Sequence, residues 1–427
     1  MQSIIDTTRE SSFNAQELPV GDLVMANQLE YPLLQPISAV VQRRFINYDT
    51  NVDYQSNGNI TLYTSTGDDY VNYPTSFISF KLSGFTGATG ILTFDSLVAG
   101  DDLSENLVSN IFKQIRITHS SGTTICTGRE LGAYIRAKHR WYYDKLWRDT
   151  VGSAMGSDVS NLLSNDLDRT FVIPIYILHG FFSSNKLCPS FASSGLKIEL
   201  QLNTAQEALH SDTDPATDFK VSEFKIHLDQ FTLMDSVQSY LNEASAKGEI
   251  AYNHKSYAWN STVASSTKVN LTIDQAMSQA VNCMALTRLN NNVSSGTARS
   301  YAPDNRLRKA QVKIGSNYFP QTELDATNKK EAIMYMWNIN NSRKGRHNAS
   351  NVPFNVYKGV NNVGEQGIIN FSLERSSTLN LSGHFVSGSR NLTYMAENLV
   401  NDLRVDLFVE YYQVNRLYLF DKVVVLT

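Results

Sequence analysis

Histidine is the side chain of this sequence best suited to bind a catalytic metal or to transfer a proton near neutral pH. Eight histidines occur: His119, His139, His179, His210, His227, His254, His347 and His384. No two of them form a His-x-His pair, whose imidazoles would project from one face of a strand as in the metal sites of cupin-type barrels. The spacing predicts no metal site, although an assembly of single, distant histidines is left open.

The short motifs of hydrolases and nucleotide-binding loops are also absent, since the sequence has no HExxH, no GxSxG and no Walker-type GxxxxGK. Gly84–Gly90 ("GFTGATG") has no lysine and lies between two alternating runs, which indicates a hairpin connection rather than a phosphate loop. Asp101, Asp102 and Glu105 could bind Ca²⁺ weakly, but a solvated loop or helix start explains them better. We predict no catalytic, cofactor-binding or metal-binding residue, no cofactor and no enzymatic activity.

Aromatic and basic residues concentrate in Arg129–Asp149, the best helical segment of the chain. Its apolar residues at helical spacing are Leu131, Ile135, Tyr142 and Leu146, and its other aromatic residues are Trp141, Tyr143 and Trp147. Packing of this helix against a neighbouring element explains the aromatic residues better than a platform for sugars or bases. The basic residues of Arg136–Arg148 and Ser342–His347 are interpreted as a solvated helix face and a loop.

Composition limits the class of protein. The 427 residues carry a formal net charge of −4, and charged residues make up 18% of them, against roughly 25% in typical soluble domains. This argues against sequence-specific binding of nucleic acid and favours a surface that contacts protein. Cys126, Cys188 and Cys283 are too few and too far apart for a disulfide framework, and the chain starts without a secretory-signal pattern, so we expect a reducing compartment.

The elements that must position these residues are predicted to be strands. Alternating runs separated by glycine, serine, asparagine and aspartate recur along the chain, as in Phe77–Phe85, Phe171–Leu178 and Lys268–Ile273. Helical patterns are few, and the second of them is Lys329–Asn338. The pattern predicts an all-β sandwich or barrel architecture with short helical excursions.

The same elements recur in the same order in both halves of the chain. "QIRI" at Gln114–Ile117 matches "QVKI" at Gln311–Ile314, and each is followed by a turn, a strand and a helix. Phe224–Asp235 matches Leu403–Val414, and "LKIELQL" is paired by position with "STLNLSG", Leu200 against Leu381. We therefore predict a tandem duplication: an N-terminal arm at 1–40, a first domain at 41–236, a linker at 237–255 and a second domain at 256–427.

Four segments resemble those of the double jelly-roll major capsid proteins, the lineage of adenovirus hexon, tailless phages, virophages and polinton-like viruses. They are Phe171–Leu202, Phe219–Asp235, Gly367–Gly383 and Val405–Leu426. Leu373-Glu374-Arg375 stands where the family has Arg-Ile-Asp, and the small-residue tail is replaced by "FDKVVVL". The resemblance covers the chain from about residue 40, and it implies two tandem eight-stranded jelly-roll sandwiches.

The resemblance also implies a function. Three copies would form a pseudo-hexameric homotrimer, a tile of an icosahedral double-stranded DNA virus shell, located in the virion after synthesis in the host cytoplasm or nucleus. Its partners would be copies of itself, neighbouring capsomers and minor capsid or penton proteins. The alternative is a carbohydrate-binding, lectin-like sandwich, which would be expected to carry paired carboxylates or an acidic calcium loop. A minor capsid or spike component is disfavoured by the duplication.

Overall fold

The computed structural model describes residues 39–87, 92–94, 107–143, 145–156, 169–184, 186–211, 214, 216–247, 251–264, 267–289, 309–325, 368–375, 383–397, 403–418 and 422–426. The chain divides into two compact units, Met1–Val41 and Gln42–Thr427, and the architecture below is that of the second. Within the described ranges, no helix combines the length and apolar character needed to cross a membrane.

The first half contains eleven strands among the described residues. They are β1 (Val40–Asp49), β2 (Tyr54–Gln55), β3 (Asn59–Tyr63), β4 (Tyr70–Thr86), β5 (Leu92–Thr93), β6 (Phe112–Thr118), β7 (Thr124–Arg129), β8 (Arg169–Pro174), β9 (Lys197–Leu202), β10 (His210–Ser211) and β11 (Asp218–Leu233).

The second half contains ten more described strands. They are β12 (Ala251–Val263), β13 (Lys268–Ile273), β14 (Met277–Leu289), β15 (Lys309–Ile314), β16 (Asn317–Asp325), β17 (Ile368–Ser372), β18 (His384–Val386), β19 (Leu392–Glu397), β20 (Leu403–Tyr418) and β21 (Lys422–Leu426).

The described helices are short. They are α1 (Leu131–Tyr142), α2 (Lys145–Trp147), α3 (Ile175–Leu178), α4 (Ser190–Ser193), α5 (Ala205–Ala208) and α6 (Asp235–Ala246), with 3₁₀ turns at Val108–Ile111 and Gly180–Ser183 and a π-helical turn at Arg148–Gly152. α6 follows β11 and precedes β12, so a helix connects the last strand of the first half to the second half. Asp235 in its first turn is favourably placed for the helix dipole.

Each half forms a sandwich of two antiparallel sheets with the same strand order. In the first half the sheets run β1-β11-β4-β8 and β3-β9-β6-β7; in the second they run β12-β20-β14-β17 and β13-β19-β15-β16. Counting the eight principal strands of each half in chain order, one sheet takes the first, eighth, third and sixth, and the other the second, seventh, fourth and fifth. This is the order of an eight-stranded jelly roll, so the predicted fold class is confirmed.

The alternating sequence accounts for the strands and their core faces. In β9 every second residue is buried, namely Ile198, Leu200 and Leu202. β11 and β20 are 16 residues long, and each pairs with two strands along the main order of its sheet and with a third, short strand beside them. Ile226 and Leu228 are fully buried, as are Val405 and Leu407. The predicted equivalence of these two strands in the core is confirmed.

One predicted match between the halves is wrong. The strand that occupies the place of β9 in the second sandwich is β19, which pairs with β13 and β15 as β9 pairs with β3 and β6. The sequence pattern predicts Ser377–Gly383 instead, most of which lies outside the described residues. Its alternating leucines resemble β9, but alternation alone does not say which of two successive runs pairs with a given neighbour.

Some other predictions differ from the structure or lie outside its described part. Phe171–Leu178 is a strand only as far as Pro174, after which the chain turns into α3. The acidic residues at 101–105, the predicted helix at 329–338, the basic segment at 342–347 and most of the N-terminal arm are outside the described residues. The proposed limits of arm, domains and linker stay predictions, and β12 begins at Ala251, within the range given to the linker.

Candidate functional site

The cysteine thiols and most of the histidines lie among residues that have a structural role. All three cysteines are free and buried, and desolvation raises the pKa of Cys188 to about 12 and that of Cys126 well above its usual range, so neither is a ready nucleophile. Within the described ranges, no three His, Cys, Asp or Glu side chains are grouped so as to hold a metal ion. In the part of the chain that the structure describes, one pair of histidines comes together, His179 and His254, with ring centroids 5.8 Å apart.

These two histidines lie where the sandwiches meet, a region formed by α1, β7, β12 and β20 that we call the junction. The interpretation of Arg136–Arg148 as a solvated helix face is wrong for the start of this segment, because every residue from Leu131 to Ala137 is buried. Helical spacing identified the side of α1 that packs on its own sandwich. The second sandwich covers the other side, and the sequence of α1 itself carries no signal of that second contact.

A buried carboxylate is at the centre of the junction. Glu410 of β20 is 1% exposed, and its Oε1 accepts a hydrogen bond from the Tyr134 hydroxyl over 2.6 Å. Asn282 Nδ2 donates to Oε2 over 3.3 Å, and Lys138 Nζ lies 3.8 Å from Oε1. Two of these three partners, Tyr134 and Lys138, belong to α1, so the carboxylate links the two sandwiches by charge-assisted contacts.

Aromatic rings surround this carboxylate. The ring of Tyr134 stacks on Tyr257 of β12 with centroids 3.8 Å apart and planes inclined by 17°, and it contacts Phe408 of β20 at 5.7 Å. The Tyr257 hydroxyl donates to the backbone carbonyl of Arg129 over 3.0 Å. Three rings from the two halves therefore bury each other, and their polar ends are bonded to the opposite half or to the buried carboxylate.

Two further polar contacts lie on either side of Glu410 along β20. Arg404 Nη2 lies 3.1 Å from Glu130 Oε1 of the first sandwich, and Arg404 Nε lies 3.1 Å from Asp406 Oδ1. Farther along the strand, Gln413 Nε2 donates to the Ile125 carbonyl over 2.6 Å. β20 is therefore bonded to the first sandwich from Arg404 to Gln413, through Arg404 and Glu410 on its outer side and through Gln413 on the opposite side.

The backbones also approach closely at the junction. A Cβ atom on Gly180 would lie 1.9 Å from the carbonyl oxygen of Lys255, and one on Gly128 would lie 2.5 Å from the Tyr257 hydroxyl oxygen. Tyr252 donates to the Phe181 carbonyl over 2.9 Å beside the first of these glycines. At Gly180 only glycine fits without a shift of the facing backbone, whereas at Gly128 a Cβ atom would displace the Tyr257 side chain.

The histidine pair is neutral in this setting. Burial lowers the pKa of His254 to about 3, and burial together with the neighbouring His254 and Lys138 lowers that of His179 well below its usual value. His179 Nδ1 accepts from the backbone N–H of Phe181 over 3.1 Å, and Asn415 Nδ2 lies 3.4 Å from His254 Nδ1. These hydrogen bonds order the side chains of the junction.

In the first sandwich, the sheet β1-β11-β4-β8 corresponds to the sheet β12-β20-β14-β17 of the second sandwich, and its outer face carries aromatic residues. We call this surface the open face and define it by Arg43, Phe45, Phe77, His227 and Phe231. Phe45 is 52% exposed, whereas His227 and Phe77 are half-buried and stacked with centroids 4.4 Å apart. The guanidinium of Arg43 lies 5.6 Å from the Phe45 ring centroid and 5.3 Å from that of Phe231.

The aromatic residues after α1 pack within the first sandwich. Tyr143 and Trp147 are stacked with centroids 4.2 Å apart, and Trp147 Nε1 donates to the Tyr176 hydroxyl over 3.1 Å. The prediction that packing explains these rings is confirmed for this pair. Leu146 was expected on the packed side but is 72% exposed, because α1 ends at Tyr142 and the following turns do not keep its helical phase.

The comparisons with known proteins agree on the fold. No family model matches the sequence, and neither does any curated protein. A chain of the PBCV-1 virus capsid superimposes with a TM-score of 0.61 at 9% identity, over 92% of this chain and 99% of the other. A chain of the Sputnik virophage gives 0.59 at 10% identity, over 93% and 90%. The mavirus major capsid protein gives 0.54 at 12% identity, over 97% and 94%.

Identities this low establish the fold alone. Nearly the whole length of each chain is covered, so the likeness extends over both jelly rolls and not only one of them. Together with the strand order, this shows that the chain has the double jelly-roll fold of these capsid proteins.

Proposed function

We propose that this chain is a major capsid protein whose homotrimers are the pseudo-hexameric tiles of an icosahedral double-stranded DNA virus shell. The observation that carries the proposal is the double jelly roll itself, one eight-strand order found twice in a single chain. The PBCV-1 chain and the mavirus protein are similar to this chain over both halves and are capsid proteins. On this proposal the protein is not an enzyme, acts in the virion and binds no specific nucleic acid sequence.

The closure of a ring of subunits also supports this function. A cyclic assembly needs two different, complementary sides on each subunit. Two similar but non-identical sandwiches in one chain supply such sides, and three copies alternate first and second sandwiches around a ring. The junction fixes the two sandwiches of one chain through Glu410 and the Tyr134 ring stack, as a rigid tile requires.

The composition supports the same proposal. Only 18% of the residues are charged, and the open face carries aromatic rings on a sheet surface. Both features are typical of surfaces that contact protein. The partners on this proposal are copies of the same chain, neighbouring capsomers and minor capsid or penton proteins.

Imaging of the purified full-length chain by negative-stain electron microscopy tests the proposal. We expect particles with a six-lobed outline built from three chains. Single two-lobed particles at micromolar concentration would contradict it and would favour the lectin-like alternative, which glycan-array binding would then examine.

A further inference from the structure

We propose that the open face of the first sandwich binds the second sandwich of a neighbouring copy of this chain. This contact between two copies would resemble the contact between the first and second sandwiches within one chain. This inference rests on the proposed function and adds the surface through which the copies meet.

The covered face in the second sandwich is the template. Asp406, Phe408 and Glu410 of β20 point away from the core of their own sandwich, and all three are at most 1% exposed. On the neighbouring strand β12, Tyr257 is paired with Glu410 and Trp259 with Phe408. The first sandwich covers this surface with α1 and the Tyr134 ring.

Among the described residues, no element covers the equivalent face of the first sandwich in this way, and Phe45 on it is 52% exposed. β11 takes the place of β20, and His227, Asp229 and Phe231 alternate with its core residues as Asp406, Phe408 and Glu410 do in β20. β1 takes the place of β12, and most of β1 is exposed whereas most of the first eight residues of β12 are buried or half-buried. One chain thus presents a covered and an uncovered version of the same surface.

The open face is also ordered before any partner binds. Asp229 is fully buried and accepts two hydrogen bonds from Arg43, Nε to Oδ1 over 2.9 Å and Nη2 to Oδ2 over 2.8 Å. The Thr75 hydroxyl also donates to this carboxylate. The guanidinium held by this ion pair lies near both Phe45 and Phe231, so the ion pair restrains the position of the cation between the two rings. Prior order of this kind lowers the entropic cost of association.

A second copy is the occupant that fits these observations. Within one chain, the first sandwich packs on the outer face of the sheet β12-β20-β14-β17 of the second sandwich. If the same relation continues from the second sandwich of one copy to the first of the next, three copies close a ring and every such face is covered. An unrelated protein on the open face would leave this ring open.

Thiol protection tests the inference directly. The three native cysteines are buried, so a Phe45→Cys variant presents one accessible thiol. Phe385→Cys is the matched control, since Phe385 is 50% exposed and lies on β18 of the second sandwich. In the assembled protein, we expect maleimide to label the thiol at position 45 on the order of tenfold more slowly than in the protein dissociated by dilution. Equal labelling in both states would overturn the inference.

A second measurement separates this inference from the proposed function. We expect Phe45→Asp to shift the chain from trimer to monomer while its circular dichroism stays unchanged, and Phe385→Asp to remain trimeric. If both variants are trimers, the copies meet elsewhere: the inference fails and the capsid proposal stands. If both are monomers, the effect is not specific to the open face and the inference also fails. A monomeric wild-type chain would contradict the proposed function itself.

Discussion

Tyr134→Phe removes one hydroxyl from the junction and keeps the ring that stacks on Tyr257 at 3.8 Å. The lost hydrogen bond is 2.6 Å long and ends on Glu410, a carboxylate that is 1% exposed. A hydrogen bond to a charged group contributes about 1.5–3 kcal/mol, and a buried acceptor left without its donor is costly. We therefore expect the free energy of unfolding to fall by about 2 kcal/mol. Lys138 and Asn282 remain, which keeps the loss below the 3–5 kcal/mol typical of breaking a buried ion pair.

Denaturant unfolding at one fixed protein concentration measures this loss, because assembly would otherwise alter the apparent stability. Tyr257→Phe is the matched control, since it removes a neutral hydrogen bond to the Arg129 carbonyl and should cost about 1 kcal/mol. In a Glu410→Gln background, the cost of Tyr134→Phe should drop to under about 1 kcal/mol. A loss below about 0.5 kcal/mol for Tyr134→Phe, or an equal loss in both backgrounds, would refute the role given to Glu410.

Two further predictions concern the same junction. His179 and His254 are neutral in the folded chain and face Lys138, Tyr257 and Asn415. Folding lowers the pKa of His254 from 6.5 to about 3 and lowers that of His179 in the same direction. The free energy of unfolding should therefore be constant above pH 6.5 and fall as the pH drops toward 3. The loss is about 1.4 kcal/mol per pH unit for each histidine, so urea midpoints measured from pH 7.5 to 5 should decline. His254→Gln should remove roughly half of the slope of this decline, and an unchanged slope would contradict this account. Gly180→Ala places a Cβ 1.9 Å from the Lys255 carbonyl oxygen and should lower the thermal midpoint or prevent folding, because overpacking costs about 1–3 kcal/mol or more. Gly388→Ala, whose Cβ meets no atom within 4 Å, should be close to neutral, and equal effects of the two substitutions would be evidence against a close approach of the backbones at Gly180.

The parts of the fold that sequence predicted correctly are those with a local periodic signal. Gln114–Ile117 and Gln311–Ile314 lie in β6 and β15, which occupy the same place in the two sandwiches. The burial of Ile226 and Leu228 followed from period-two alternation in the same way. Strand pairing is not local, and for that reason Leu381 was matched in place of the residues of β19.

The junction could not be predicted, because its members are distant in sequence and carry no common pattern. Tyr134 and Glu410 are 276 residues apart. One clue was present: Glu410 stands on the outer side of a strand whose outer positions include Phe408 and Tyr412. An aromatic outer face on a central strand indicates a second packing surface, and the same clue in β11, at Phe231, points to the open face.

The mass of the purified full-length chain in reductant tests the central claim most directly. Mass photometry at nanomolar to micromolar concentration should give a species of three times 47.8 kDa, about 143 kDa, without disulfide bonds since all three cysteines are free. A species of one or two chains that persists at micromolar concentration would contradict the capsid-tile account.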